Sequence, residues 1–343
     1  MYMLLLLLIA IISFIVYIII SNPNLDKKTI EIIDETLREE LPELIAGKTG
    51  FVYSNNIKIW YELISFINPE RGVICLLMSN AADALMWPPS FINMLTSAGF
   101  KVIRFDYRGT GESDWIEDWN KNNAYSLKDM ADDVIAIFDE LKISAAHLIG
   151  FSLGGMIAQE IAINYSKRVC SLNLLMTSGD ATDPKMKVFP IGFIISSLIK
   201  SIPILKYRIK GGERNLIIER VLRMKIVLSE ENLNIKEIAQ QVLYDLRNRK
   251  GINKKAVFQH IRAVTISGSR YDKLRNLEIP TLIIHGTKDK VLPIEHGKML
   301  ASIIPNAKHH WIEDVGHVFP VPNMENLINL VIEHISALTS AST

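Results

Sequence analysis

Gly150-Phe151-Ser152-Leu153-Gly154-Gly155 decides how the rest of the chain is read. It lies between Ala145 to Ile149, apolar except for His147, and Met156-Ile157-Ala158-Gln159-Glu160-Ile161-Ala162-Ile163. The latter places apolar residues at helical spacing, with Gln159 and Glu160 on the other face. A serine at a strand-to-helix junction has to turn sharply and expose its hydroxyl, and glycines two before and two after it relieve the crowding. Spacing alone proves little, because G-x-S-x-G arises by chance in roughly one chain in ten of this length. The strand before it and the helix after it make Ser152 a candidate nucleophile.

Outward from this turn, strands alternate with helices. Val73 to Met78, Lys101 to Phe105 and Leu172 to Met176 read as buried strands, and Phe91 to Ala98 and Leu127 to Leu141 as helices, the second capped by Ser126 with Asp129 three residues on. Ahead of them, Phe51 to Tyr53 and Ile57 to Ile64 flank Ser54-Asn55-Asn56 as a hairpin. The alternation predicts an α/β fold with a doubly wound, mostly parallel sheet. It stops after Ser178 and resumes at Thr281 to Ile284, followed by a helix near Glu295 to Ile303, a short strand at His309 to Ile312 and a helix over Met324 to Leu338. Residues 183–277 therefore read as an inserted helical cap within an α/β domain spanning 48–343.

That insertion is charged unlike the rest. Between Lys185 and Arg275 there are 20 Lys and Arg against 7 Asp and Glu, in a chain whose formal net charge is +1. A solvated basic surface explains this as well as attraction to anionic lipid or to an anionic substrate does. Val188 to Leu205, apolar but interrupted by Pro190, Lys200 and Pro203, reads as a lid helix lying at an interface.

At the other end, Met1 to Ile20 is almost wholly apolar and long enough to cross a bilayer of about 30 Å. It lacks a charged n-region and an A-x-A-like site, so the expectation is a retained transmembrane anchor rather than a cleaved signal. Lys27 and Lys28 then place the large domain on the cytoplasmic side. Residues 21–47 read as a connector helix, with Ile30, Ile33, Leu37 and Leu41 along one face. At 343 residues the chain can bury a sizeable core, and its near-neutral charge gives no reason to expect nucleic acid. Cys75 and Cys170 sit in or beside strand-like runs, apart from any Cys/His cluster, so neither a disulfide nor a metal is expected.

A serine hydroxyl needs a base to take its proton and a third group to orient that base. Asp289 follows a strand in His285-Gly286-Thr287-Lys288-Asp289-Lys290-Val291-Leu292-Pro293, and His317 lies in Asp314-Val315-Gly316-His317-Val318-Phe319-Pro320 after the next. The order Ser152, Asp289, His317 is the one expected of a nucleophile elbow on such a sheet. Asp180, at the end of the strand after the elbow, is the rival acid.

With Asp106-Tyr107-Arg108-Gly109-Thr110-Gly111-Glu112-Ser113, these motifs make the chain from about Lys48 onward resemble the α/β-hydrolase superfamily, serine esterase type. Within it, Met78-Ser79-Asn80-Ala81-Ala82-Asp83-Ala84-Leu85-Met86-Trp87-Pro88 is similar to the corresponding segment of aclacinomycin methylesterase-like esterases. The resemblance implies Ser152 as nucleophile, His317 as general base and acid, Asp289 as orienting acid, and the backbone N–H groups of Leu153 and Asn80 as the oxyanion hole. Many relatives carry His-Gly where this chain has Met78-Ser79, and a non-glycine residue restricts how that loop can fold.

The function expected is a membrane-anchored serine hydrolase, lipase-like in that it cleaves a lipophilic carboxylic ester through an acyl-enzyme without a cofactor. A thioesterase, lactonase, C–C bond hydrolase or acyltransferase would use the same residues, and a non-catalytic binding protein of this fold is the alternative class. The partners expected are a small-molecule ester or lipid substrate and a membrane.

Overall fold

A computed structural model gives the architecture; it describes residues 25–65, 71–120, 123–186, 199–227, 233–319 and 324–340, with Ser13, Tyr17, Pro23 and Ser196 as isolated positions. Its strands are β1 (Lys48–Ser54), β2 (Ile57–Ile64), β3 (Val73–Leu77), β4 (Lys101–Phe105), β5 (Ala146–Phe151), β6 (Val169–Leu175), β7 (Thr281–Gly286) and β8 (Lys308–Ile312). They form one sheet in the order β1-β2-β4-β3-β5-β6-β7-β8. β1 and β2 pair antiparallel, as do β2 and β4, and every pairing from β4 to β8 is parallel. The helices are α1 (Lys27–Thr36), α2 (Pro89–Ser97), α3 (Leu127–Glu140), α4 (Leu153–Asn164), α5 (Leu205–Lys210), α6 (Glu213–Val227), α7 (Ile235–Asn248), α8 (Lys255–Ser267), α9 (Tyr271–Leu274), α10 (Ile294–Ile303) and α11 (Met324–Ser340).

The chain divides into two compact units, residues 43–188 with 248–343, and residues 1–42 with 189–247. The first holds the whole sheet together with α8 and α9. The second has its own apolar core, in which Ile33 of α1 joins Ile217, Ile218, Val221 and Leu222 of α6 and Ile238 and Leu243 of α7. Ile30, Leu37 and Leu41 pack around that core, and Arg214 grips Asp34 at 2.6 Å on its surface.

Local chemistry explains the elements of the sheet unit. Asn55 and Asn56 both take positive φ, 48° and 63°, and asparagine tolerates that conformation, so a two-residue turn joins Ser54 to Ile57 in register. Proline opens α2 at Pro89, where a missing N–H costs nothing. At α3 the Ser126 hydroxyl accepts from the Asp129 amide while the Asp129 carboxylate accepts from the Ser126 amide, a reciprocal cap worth about 1 kcal/mol. Ile74 to Leu77 of β3 and Ala146 to Phe151 of β5 are buried along their length because helices cover both faces of the sheet.

Where the sheet turns antiparallel, its interior is charged. Glu62 of β2 lies directly across from Arg104 of β4, and the two pair at 2.6 Å, almost completely buried. The second Glu62 oxygen accepts from the backbone of Ala46 at 2.7 Å and of Gly47, while Arg104 donates to the carbonyls of Leu44 and Trp87. This pair ties the segment entering β1 to the sheet.

Two expectations need correction. No helix among the described residues is long and apolar enough to cross a membrane, which contradicts the transmembrane helix in the expected fold class and the single-pass membrane localisation with a cytoplasmic catalytic domain, while the α/β class with a mostly parallel sheet holds. Crossing takes about 20 predominantly apolar residues. The longest described helix, α11, has 17 and carries Glu325, Glu333 and His334. The expected span at residues 1–20 lies outside the described residues apart from Ser13 and Tyr17, and most of the expected lid, residues 188–195 and 197–198, lies outside them too. Of the two cysteines placed in or beside strand-like runs, Cys75 is buried and Cys170 is exposed on β6.

Breaking a buried ion pair from one side leaves an uncompensated charge, so Glu62→Leu should lower the unfolding free energy by about 3 to 5 kcal/mol, read from denaturant titration. A loss under about 1 kcal/mol would mean that the pair does not hold the β1 segment.

Candidate active site

The site begins with a strained turn. Ser152 joins β5 to α4 with φ 54° and ψ −117°, a conformation that side-chain-bearing residues avoid and that costs about 1 to 3 kcal/mol. The flanking glycines permit it through close approach rather than positive φ. A Cβ on Gly150 would lie 2.5 Å from the carbonyl oxygen of Gly154, and one on Gly154 would strike the Leu77 carbonyl at the end of β3. The turn is held from behind, as the Ser152 amide donates to the Leu175 carbonyl at 2.9 Å and the Thr177 hydroxyl to the Ser152 carbonyl at 2.6 Å.

Asp289 and His317 come from the neighbouring strand ends. Beyond the β7–β8 pairing of Gly286 with Ile312, the Thr287 amide donates to the Ile312 carbonyl and the Lys288 amide to the Val315 carbonyl, each at 2.9 Å. These bonds hold the Asp289 turn against the His317 loop. Asp289 Oδ1 accepts from the amides of Val291 and Leu292, both at 2.8 Å, and Oδ2 accepts from His317 Nδ1 at 2.7 Å. His317 Nε2 then lies 2.9 Å from Ser152 Oγ. A carboxylate only accepts, so Nδ1 bears the hydrogen and Nε2 offers its lone pair to the serine hydroxyl.

Burial opposes the charge on Asp289, but the His317 charge and hydrogen bonds from His285 and His317 outweigh it and hold the carboxyl at about 2. His285 Nε2, which donates to the Leu292 carbonyl at 2.7 Å, also lies 3.3 Å from Asp289 Oδ2. In the sequence His285 has no role beyond opening the stretch that carries Asp289. Its position four residues before Asp289 in a tight turn was the available signal. Asp180, the rival acid, instead accepts from the Thr182 amide and hydroxyl, both at 2.7 Å.

The structure brings Ser152, Asp289 and His317 into one hydrogen-bonded array. It places Leu153 at the first position of α4, where a backbone N–H has no intrahelical acceptor. Asn80 lies in the turn after β3, exposed, on a loop anchored at both ends. Tyr107 Oη donates to the Met78 carbonyl at 2.9 Å, and the Ala84 amide donates to Asp106 Oδ1 at 2.9 Å. Asp106 also accepts from Glu112 N at 2.8 Å and pairs with buried Arg249; burial raises its carboxyl to about 7 against the opposing pull of Arg249. Arg108 pairs with buried Asp133 at 2.6 Å. Asp106 and Arg108 thus brace the loop after β4.

No cluster of metal-ligating side chains occurs among the described residues. A serine, histidine and carboxylate in this relation, on a strained strand-to-helix turn of a mostly parallel sheet, define an α/β hydrolase. The chain belongs to that family: the family model described as the alpha/beta hydrolase fold matches residues 72–192 and 230–323, and the protein is a hydrolase of this fold. Among its relatives, the rhodomycin D methylesterase of Streptomyces sp. (strain C5) is 26% identical over 85% of this chain and 99% of that protein. The 3-oxoadipate enol-lactonase 1 of Acinetobacter baylyi is 24% identical over 77% of this chain and 89% of that protein. A thermophilic esterase from Thermogutta terrifontis shares the fold, with a TM-score of 0.62 at 21% identity, over 85% of this chain and 99% of that one.

The lowered ionisation of Asp289 carries a pH signature. Its carboxyl titrates at about 2 in the folded chain against an ordinary 3.8, so its contribution is complete above about pH 4 and is lost as the pH falls toward 2. Denaturant titrations of wild type and Asp289→Asn should show a stability gap that narrows by about 2 kcal/mol between about pH 5 and pH 2. A gap constant across that window would contradict an ionised, paired Asp289.

Proposed function

We propose that the protein hydrolyses carboxylic esters through an acyl-enzyme on Ser152. The observation that carries the reading is the array itself: Ser152 Oγ 2.9 Å from His317 Nε2, and His317 Nδ1 2.7 Å from an Asp289 held ionised. His317 takes the serine proton as Oγ attacks the ester carbonyl, and Asp289 keeps the ring in the tautomer that can do so and stabilises the imidazolium that forms. The N–H groups of Leu153 and Asn80 receive the oxyanion, where one donor is typically worth about 2.7 to 4 kcal/mol of barrier. The carbonyl-to-alkoxide bond then breaks, and His317 returns the proton to the departing alcohol. Water, deprotonated by the same histidine, releases the acid.

Esters and lactones are the substrate classes that the relatives support, since one is named a methylesterase and another an enol-lactonase. In a lactone the departing alkoxide stays tethered to the acyl group, so the residues and their roles do not change. The finer reading is an open-chain ester with a lipophilic acyl group.

A fluorophosphonate probe should label wild type and leave Ser152→Ala unlabelled, and the same substitution should lower kcat on a p-nitrophenyl ester by about 10,000-fold or more. Equal labelling of the two proteins would end the acyl-enzyme reading. A series of p-nitrophenyl esters from acetyl to dodecanoyl should show kcat/KM rising with chain length, and a flat or falling series would remove the lipophilic acyl group from the proposal.

A further inference from the structure

His260 takes no part in the proposed chemistry, yet it is fully buried on α8, in the same compact unit as Ser152. Its two ring nitrogens face different backbone groups. The Ala81 amide donates to Nδ1 at 3.1 Å, and Nε2 lies 3.0 Å from the Arg108 carbonyl. A carbonyl only accepts, so Nε2 must bear a hydrogen, and an amide N–H requires a lone pair on Nδ1. Both contacts are satisfied together only by the neutral ring protonated on Nε2. Tyr107 and Tyr125 stand edge-on to it, with centroids at 5.6 and 6.1 Å. Burial, with the Arg108 charge opposing protonation as well, lowers the ring to about 4.

The group that His260 holds is the one where the loop has most reason to relax. Ala81 takes φ 55° without glycine's freedom, immediately after Asn80 and between the anchors at Met78 and Ala84. Protonating or removing Nδ1 would leave the Ala81 N–H facing a second donor or nothing.

We propose that His260 is a positioning residue for the oxyanion loop: by accepting the Ala81 N–H it fixes the Asn80–Ala81 peptide, and with it the place of the Asn80 N–H. This rests on Ser152 as nucleophile and Asn80 as oxyanion donor, as read above. His260 acts on the transition state alone, because the oxyanion exists only there.

Two substitutions separate the ring nitrogens. Asparagine can place its amide oxygen near Nδ1 and keep an acceptor for Ala81, whereas glutamine reaches the Nε2 position and leaves Ala81 without one. His260→Gln should lower kcat on a p-nitrophenyl ester by at least about 10-fold with KM within about twofold, and His260→Asn should recover most of that loss. Equal losses of kcat in the two variants, or a loss expressed in KM, would overturn the proposal. If neither variant folds, the ring nitrogen chemical shifts of wild type labelled with nitrogen-15 histidine decide: the Nε2–H tautomer supports the role, and the Nδ1–H tautomer or a charged ring at neutral pH refutes it. Ser152→Ala is the control that separates the readings, since activity surviving that change overturns the hydrolase mechanism itself, and His260's role with it, whatever the His260 variants do.

Discussion

The structure depends on one close approach of backbone to backbone. At the end of β5 the chain reverses into α4 so tightly that the start of the helix lies against the carbonyl end of β3, leaving no room for a side chain at Gly154 and none at Gly150 behind it. Ser152 is strained because it bridges these two contacts, and the helix and sheet that pack around it bear the cost. The same approach sets the loop after β3 beside the first N–H of α4. The Ser152 hydroxyl and the first N–H of α4 are therefore brought beside that loop by packing, before any polar side chain is considered.

Charge then fixes what packing gathers. Asp289 has both oxygens engaged, one by two backbone amides and the other by His317, with His285 nearby. Such a carboxylate stays ionised and has little freedom to turn, which is what an orienting acid requires. Asp106, Arg249, Arg108 and Asp133 do comparable work around the loop after β4, and Glu62 with Arg104 does it at the antiparallel side of the sheet. Each is a buried charge paired within the sheet unit, and none belongs to the Ser152 array.

Periodicity and local chemistry made much of this legible in the sequence. The Asn55-Asn56 turn, the Ser126 and Asp129 cap and the unbroken apolar runs of β3 and β5 are short-range signals, each readable without knowing what lies elsewhere. Ser152, Asp289 and His317 were legible through a second kind of signal, chemistry-bearing residues recurring at the carboxyl ends of successive strands. What escaped depended on tertiary partners: Glu62 opposite Arg104, and His260 against Ala81, pairs separated by 42 and 179 residues. Hydropathy of residues 1–20 suggested a membrane span; that segment lies outside the described residues apart from Ser13 and Tyr17, and no described helix is long and apolar enough to cross.

The array is assembled from two ranges of chain separation. Asp289 and His317 stand 28 residues apart in the loops that follow adjacent strands, whereas Ser152 meets His317 across 165 residues. Contacts of the first kind close a short loop, and those of the second bear the entropy of a long one, in a sheet whose parallel pairings are all non-local. The Asp289–His317 contact lies across the single β7–β8 pairing, whereas the Ser152–His317 contact spans the sheet from β5 to β8. The complete array requires β6 to stand between β5 and β7, so it exists only where the long-range pairings of the sheet are in place.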